Sequence, residues 1–247
     1  MGAKKELYKF VEAFKLKHSF DLSSCSIQEF CENEMGIKIE SMYIRTGGLR
    51  AMATPAFGNY PAIILLNDSR SSIEKKFDCA HELIHLIKQP NANIPGFRCY
   101  EKIRPKQNPY FEWEANEGAA ELIMPYKDFI PEVASKITLI EGNKMLIMPE
   151  RIVQMELKFK ATTQMIENRI RNLKYETFQY LSGVRIEDLD IKSFTEQRKS
   201  GIDLASFCID PSFSIPKFDE TICLGEDDNE DDMEWIHLHS RCYCGYY

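Results

Sequence analysis

Residues 71–88 read Ser-Ser-Ile-Glu-Lys-Lys-Phe-Asp-Cys-Ala-His-Glu-Leu-Ile-His-Leu-Ile-Lys. Ser71 and Glu74 have the spacing of a capping box, which predicts a helix from this point to about Lys88. Residues four apart lie on one face of a helix, so the imidazoles of His81 and His85 can reach the same metal ion. Glu82 stands next to the first of them, where a carboxylate can take a proton from a water molecule. The segment therefore predicts a metal site that activates water.

The rest of the metal site has to come from elsewhere in the chain. A catalytic zinc ion takes three protein ligands and keeps a fourth position open. No third histidine follows at the short spacing of related motifs, because Lys88 and Asn91 occupy those places. A carboxylate is therefore needed, and a helix predicted over residues 109–124 offers four, at Glu112, Glu114, Glu117 and Glu121.

Two segments resemble the ImmA/IrrE family of metallo-endopeptidases. Residues 76–86, KFDCAHELIHL, resemble the family pattern F-x-x-A-H-E-L-x-H, and residues 112–125, EWEANEGAAELIMP, resemble E-x-x-A-N-x-F-A-A-E-L-L-M-P. The order of the segments and the gap between them are also similar to the family. Shorter similarities bring the resemblance to about residues 25–180.

The resemblance implies a ligand set and an activity. Zn²⁺ would be held by His81, His85 and Glu112, with Glu82 as the general base and Asn116 bracing the site. The implied activity is limited, site-specific cleavage of a partner protein, often a repressor with a helix-turn-helix that controls genes of mobile elements or stress responses. Peptide cleavage also needs a hydrogen-bond donor for the negatively charged oxygen, the oxyanion, that forms on the substrate carbonyl. The sequence offers four candidates for this donor and does not choose among them: Arg98, Tyr100, Arg104 and Tyr110.

A second function stays open at this point. The chain could be a regulatory module that keeps the fold and the metal but binds or senses for a transcription regulator without cutting it. The presence of Glu82 favours the enzyme, because a binding module needs no general base.

Two residues depart from the family pattern. Gly118 stands where the pattern has Phe, and we expect it to loosen the packing or widen the cleft. Cys79 lies two residues before His81, where an apolar or hydroxyl residue is expected. Neither change removes a predicted metal ligand.

The predicted fold class is α+β. Residues 1–148 are predicted to form a zincin-like domain. In it a small twisted sheet lies beside the helix that carries residues 81–85, the HExxH motif. Strands are expected at 37–43 and 62–66, a loop at 89–108, and one long helix from Thr162 or Thr163 to about Tyr180. Residues 149–182 are predicted as a helix-turn-helix-like extension packed on that domain, and residues 183–247 as an irregular acidic appendage.

Composition narrows the function and the surroundings. The net charge of −7 and the pI of about 5.4 argue against broad binding to nucleic acid, which needs a basic surface. No apolar run is long enough for a membrane span or an export signal, so we expect a cytoplasmic protein. In that compartment its eight cysteines should be reduced thiols. The sequence leaves the oligomeric state open.

The C-terminal segment carries a second group of metal-binding side chains, His237, His239, Cys242 and Cys244. Their spacing matches no established zinc-finger pattern, which favours an ordinary terminal strand over a second zinc site. This tail, or the acidic run 226–234, could alternatively fold over the cleft and inhibit it.

Overall fold

The computed structural model describes residues 2–21, 25–89, 96–102, 104–105, 107–141, 144–202, 204 and 207–208. These residues form two compact units, one of residues 6–123 and the other of residues 2–5 and 124–208. No helix within the described ranges is both long and apolar enough to cross a membrane.

The unit of residues 6–123 contains a small sheet and the helices that cover it. In chain order its elements are α1 (Ala3–Lys17, whose first residues belong to the other unit), α2 (Ile27–Asn33), β1 (Lys38–Met42), β2 (Leu49–Thr54), β3 (Ile63–Asn67), α3 (Ser72–Lys88), β4 (Phe97–Tyr100) and α4 (Pro109–Ile123). The strand order is β1-β3-β2-β4. In this order β1 and β4 are the edge strands. β1 runs parallel to β3, and the other neighbouring strands are antiparallel.

Helix α3 is the centre of this unit. The predicted capping box is present, with the Ser71 hydroxyl accepting from the Glu74 backbone and the Glu74 side chain accepting from the Ser71 backbone. Every residue from Phe77 to His85 is buried, because α3 lies against the sheet, α2 and α4. A helix that is buried on all sides needs polar partners for its polar side chains.

Charged groups tie α3 to the central strand β2. The fully buried carboxylate of Asp78 on α3 accepts hydrogen bonds from Arg50 on β2 and from Arg70, which precedes the helix. Both oxygens of Asp78 are thus paired with a guanidinium group, which is how a buried charge is tolerated. The ion cluster fixes the helix next to the sheet one turn before the HExxH residues.

The other unit is mainly helical. It contains α5 (Tyr126–Lys136), β5 (Ile137–Glu141), β6 (Lys144–Ile147), α6 (Pro149–Phe159), α7 (Thr163–Asn172), α8 (Lys174–Leu181), α9 (Phe194–Lys199) and β7 (Phe207–Cys208). The three strands form a sheet in the order β5-β6-β7. α8 packs on α5 and α6 on α7. Lys4 also belongs to this unit, where it donates to the carbonyl of Asn172 and forms a buried ion pair with Glu176.

The α+β class with a small mixed sheet is confirmed, and two details were wrong. The loop predicted at 89–108 contains β4, which pairs with β2. The long helix predicted to Tyr180 is two helices, because the fully buried Leu173 leaves helical backbone geometry between α7 and α8. The predicted domain boundaries stay a prediction, and the His/Cys tail and the acidic run 226–234 lie outside the described residues.

Candidate metal centre

Three side chains from α3 and α4 converge in the unit of residues 6–123. His81 and His85 lie one turn apart on α3, with their Nε2 atoms 3.0 Å from each other. Glu112, in the first turn of α4, places Oε2 3.4 Å from Nε2 of His81 and Oε1 3.6 Å from Nε2 of His85. One ligand atom from each residue lies within 4.8 Å of the others. Two imidazoles and one carboxylate form a donor set that suits zinc.

The electrostatics of the three residues suit a bound cation. Burial raises the pKa of Glu112, but hydrogen bonds and the charges of the two histidines outweigh burial and hold its pKa at about 2. Burial lowers the pKa of His81, and the Glu112 carboxylate more than reverses this, so the pKa of His81 is raised. The cluster therefore stabilises positive charge next to Glu112.

Glu82 is the unusual group of the site. Its side chain is fully buried, and neither carboxylate oxygen has a hydrogen-bond partner among the described residues. Burial raises the pKa of this carboxyl to about 7. An unpartnered buried carboxylate is costly, so a stable protein retains one where a further group completes the site. A metal ion with its water beside Glu82 fits this requirement.

The outer nitrogen of His81 has the partner that the family resemblance implies. Nδ1 of His81 lies 3.0 Å from Oδ1 of Asn116 on α4. An amide oxygen only accepts, so Nδ1 carries a proton in both charge states of the ring, and the neutral ring has its lone pair on Nε2, the atom that lies beside Glu112.

Two residues hold the imidazole of His85, and neither was inferred from the sequence. Nδ1 of His85 lies 2.7 Å from Oε1 of Gln89, and the Phe97 ring stacks on the imidazole with centroids 4.4 Å apart. Gln89 could have been found from its spacing, because it follows His85 by four residues. Phe97 could not, because it comes from the unpredicted strand β4.

A further contact holds Glu112. Nε2 of Gln107 donates to Oε1 of Glu112 at 2.9 Å and to the backbone carbonyl of Arg98 on β4 at 2.7 Å. Gln107 thereby ties the predicted ligand to the edge strand. No motif in the sequence pointed to this residue.

The alternative carboxylates on α4 have other partners. Glu114 accepts from Nε2 of Gln89 at 3.0 Å, and Glu117 accepts from the hydroxyl of Tyr8. Neither these two nor Glu121 joins the histidines in a group of three ligand atoms within the described ranges. A second group does exist, consisting of His81, Glu82 and Cys99 on β4. It uses only one of the two histidines, so the geometry favours Glu112.

The four candidates for the oxyanion donor differ in how they are held. Nη2 of Arg104 donates to the carbonyl of Gly47 at 3.1 Å, and its guanidinium lies over the Tyr100 ring. Tyr110 forms a hydrogen bond with Glu114. Arg98 is exposed on the edge strand β4.

The expectation that Gly118 loosens the packing was wrong. A Cβ atom at Gly118 would meet three side-chain atoms of Ile84 at 3.1–3.2 Å. Ile84, within the HExxH motif, fills the space beside the glycine, and α4 packs closely on α3.

The other departure, Cys79, has its Sγ 4.0 Å from Sγ of the buried Cys31. The hydrogen bond with Cys31 and burial raise the pKa of this thiol well above its usual value, which argues for a packing role.

Comparison with known proteins gives the family. The family described as the IrrE N-terminal-like domain, a peptidase family, matches residues 33–171, which is more than half of the chain. Among solved structures, a Mycobacterium tuberculosis transcriptional regulator is similar with 12% identity and a TM-score of 0.45, over 69% of this chain and 47% of that chain. No curated protein matches. Because the family match includes both α3 and α4 with their converging side chains, the chain belongs to the IrrE N-terminal-like family and carries a metallopeptidase-like domain.

Proposed function

We propose that the protein is a zinc-dependent endopeptidase that cuts a partner protein at a specific site. The observation that carries this proposal is the position of Glu82. A buried carboxylate without a hydrogen-bond partner among the described residues adjoins two histidines and a carboxylate that lie within reach of one ion. A structural zinc site with a closed ligand shell has no need of such a group.

In this proposal the ion is held by His81, His85 and Glu112. When bound, zinc supplies Lewis acidity, which polarises a substrate carbonyl and makes a water molecule more acidic. Asn116 keeps the Nε2 atom of His81 turned towards the ion, and Gln107 orients Glu112. Such outer contacts fix the direction of each ligand.

Glu82 acts as the general base and then as the general acid. It takes a proton from the attacking water and gives it to the leaving amine as the peptide bond breaks. Burial raises the pKa of this carboxyl, and the charge of a bound zinc ion would lower it again, so that Glu82 would be ionised and able to accept the proton at neutral pH.

The substrate class is proposed from the family. Membership in the IrrE N-terminal-like family supports limited cleavage of a helix-turn-helix repressor, and the acidic net charge argues against the DNA itself as the main partner. The protein substrate would then be an intracellular transcription regulator.

The test compares the zinc-loaded wild type with Glu82→Gln, which keeps the size of the side chain and removes the base. Glu117→Gln is the matched control, because Glu117 is a buried glutamate on the neighbouring helix that contacts Tyr8 instead. Each protein is incubated with a lysate of the source organism, and new protein N-termini are identified by mass spectrometry.

The proposal expects a short set of new N-termini, including one in a helix-turn-helix protein, with the wild type and the control but not with Glu82→Gln. Identical N-termini with all three proteins would contradict the role of Glu82. A zinc-loaded wild type that binds a repressor and creates no new N-termini would instead indicate the regulatory module that does not cut.

A further inference from the structure

A chain of hydrogen bonds continues outward from His85 and has no place in the proposed reaction. Gln89 follows the last turn of α3 and is 6% exposed. Its Oε1 lies 2.7 Å from Nδ1 of His85, and its Nε2 lies 3.0 Å from Oε2 of Glu114 and 3.4 Å from the carbonyl oxygen of Phe111. Nζ of Lys88 lies 3.6 Å from the other oxygen of Glu114.

The partners determine the direction of every bond in this chain. The Glu114 carboxylate and the Phe111 carbonyl only accept hydrogen bonds, so the NH₂ group of Gln89 must face them. The amide oxygen of Gln89 therefore faces His85, and because this oxygen only accepts, Nδ1 of His85 must donate. The lone pair of that imidazole is left on Nε2, the atom that lies beside His81 and Glu112.

We propose that Gln89 is a positioning residue that fixes His85 in the tautomer able to bind a metal, and that Glu114 is the residue that fixes the orientation of the Gln89 amide. This inference rests on the proposed metal site, although it does not require hydrolysis. It also gives a role to a carboxylate that sequence alone left as a candidate metal ligand.

Gln89 and Phe97 hold His85 in different ways. The Phe97 ring lies nearly parallel to the imidazole, with an interplanar angle of 11°, and restricts the plane of the ring. Stacking is indifferent to which nitrogen carries the proton, whereas the hydrogen bond to Gln89 selects it. Loss of Gln89 should therefore weaken metal binding even where the ring stays in place.

The first test is zinc affinity, measured by competition with a chromogenic chelator. Gln89→Leu removes the acceptor for Nδ1 and is expected to weaken zinc binding by about 10–100-fold, as is usual for partners of metal ligands. Gln197→Leu is the matched control, because Gln197 is equally buried and donates to the carbonyl of Lys192, remote in sequence from the motif. The control should bind zinc as the wild type does.

An exchange of the two side chains separates positioning from packing. In the double variant Gln89→Glu/Glu114→Gln, a carboxylate at position 89 accepts from His85 and an amide at position 114 donates to that carboxylate. The bond from His85 keeps its direction, the bond between positions 89 and 114 is retained in reverse, and only the donor to the Phe111 carbonyl is lost. Zinc affinity should therefore recover well above that of Gln89→Glu alone, which places two carboxylates together.

A second measurement needs no variant. In the zinc-loaded wild type, long-range ¹H–¹⁵N NMR of the histidine side chains should show a slowly exchanging proton on Nδ1 of His85. The inference is overturned by an unprotonated Nδ1, by wild-type affinity in a folded Gln89→Leu protein, or by a double variant no better than Gln89→Glu. Failure of the wild type to bind zinc would overturn the proposed function itself.

Discussion

Nε2 of His81 lies 3.0 Å from Nε2 of His85. The outer nitrogen of each ring donates to an amide oxygen, so both inner nitrogens direct their lone pairs into the same small space. Two lone pairs at this distance repel each other unless a proton or a cation lies between them. The arrangement therefore favours an ion together with Glu112, and the consequences of this can be measured.

Metal should stabilise the fold. An ion that binds only the folded chain adds about 2.7 kcal/mol at a concentration 100 times its Kd. For a chain of this size we expect the Tm to rise by about 5–10 °C. The measurement is thermal unfolding with excess zinc and with EDTA. The double variant His81→Ala/His85→Ala is the control, and an equal zinc-dependent shift in that variant would place the ion elsewhere.

Gly118→Ala should destabilise the protein, although the same change inside an ordinary helix stabilises it by about 1 kcal/mol. The new methyl group would press on Ile84, and overpacking of this kind costs about 1–3 kcal/mol. Urea unfolding of four proteins tests this: wild type, Gly118→Ala, Ile84→Ala and the double variant. Once Ile84 has been shortened, adding Ala at position 118 should no longer be harmful. A cost that is independent of Ile84 would count against this packing.

Asp78→Ala should be among the most destabilising single changes in α3. It leaves the buried Arg50 without its carboxylate, and breaking a buried ion pair from one side costs about 3–5 kcal/mol. Chemical denaturation measures the loss. The double variant Arg50→Met/Asp78→Leu removes both charges and should recover part of it. A small effect of Asp78→Ala alone would contradict the ion cluster as the anchor of α3.

Gln107→Ala should weaken zinc binding without unfolding the chain. The change removes the donor to Oε1 of Glu112, and loss of such a contact costs about 10–100-fold in affinity. Chelator competition gives the affinity and circular dichroism the fold. Arg104→Ala, in the same exposed loop, removes a contact with Gly47 and should leave zinc affinity nearly unchanged. Equal effects of the two variants would indicate a general disturbance of the loop.

Local signals in the sequence predict α3 well. The capping box at Ser71 and Glu74 and the spacing of His81 and His85 depend only on nearby residues, so helix and motif could be inferred without a partner. Glu112 could be chosen among its neighbours only through the family pattern, because periodicity gives no order of preference among carboxylates of one helix.

Other parts of the site depend on contacts distant in sequence. β4 has four residues in a region dominated by turn signals, and it becomes a strand through pairing with β2. β2 itself lacks alternation, because Leu49, Arg50, Ala51 and Ala53 are all buried in the middle of the sheet. The position of Gln89, four residues after His85, is a local signal, but the direction of its amide depends on Glu114, 25 residues away. Gln107 likewise acts through its contacts with Glu112 and with β4.

The zinc site of His81, His85 and Glu112 is the basis of the proposed function. Its most direct test is metal content per chain by mass spectrometry for the wild type, Glu112→Ala and Glu117→Ala, purified side by side. We predict about one zinc ion in the wild type and in Glu117→Ala, and a clear loss in Glu112→Ala. Zinc retained in Glu112→Ala, or a folded wild type without metal, would contradict a zinc site formed by these three residues.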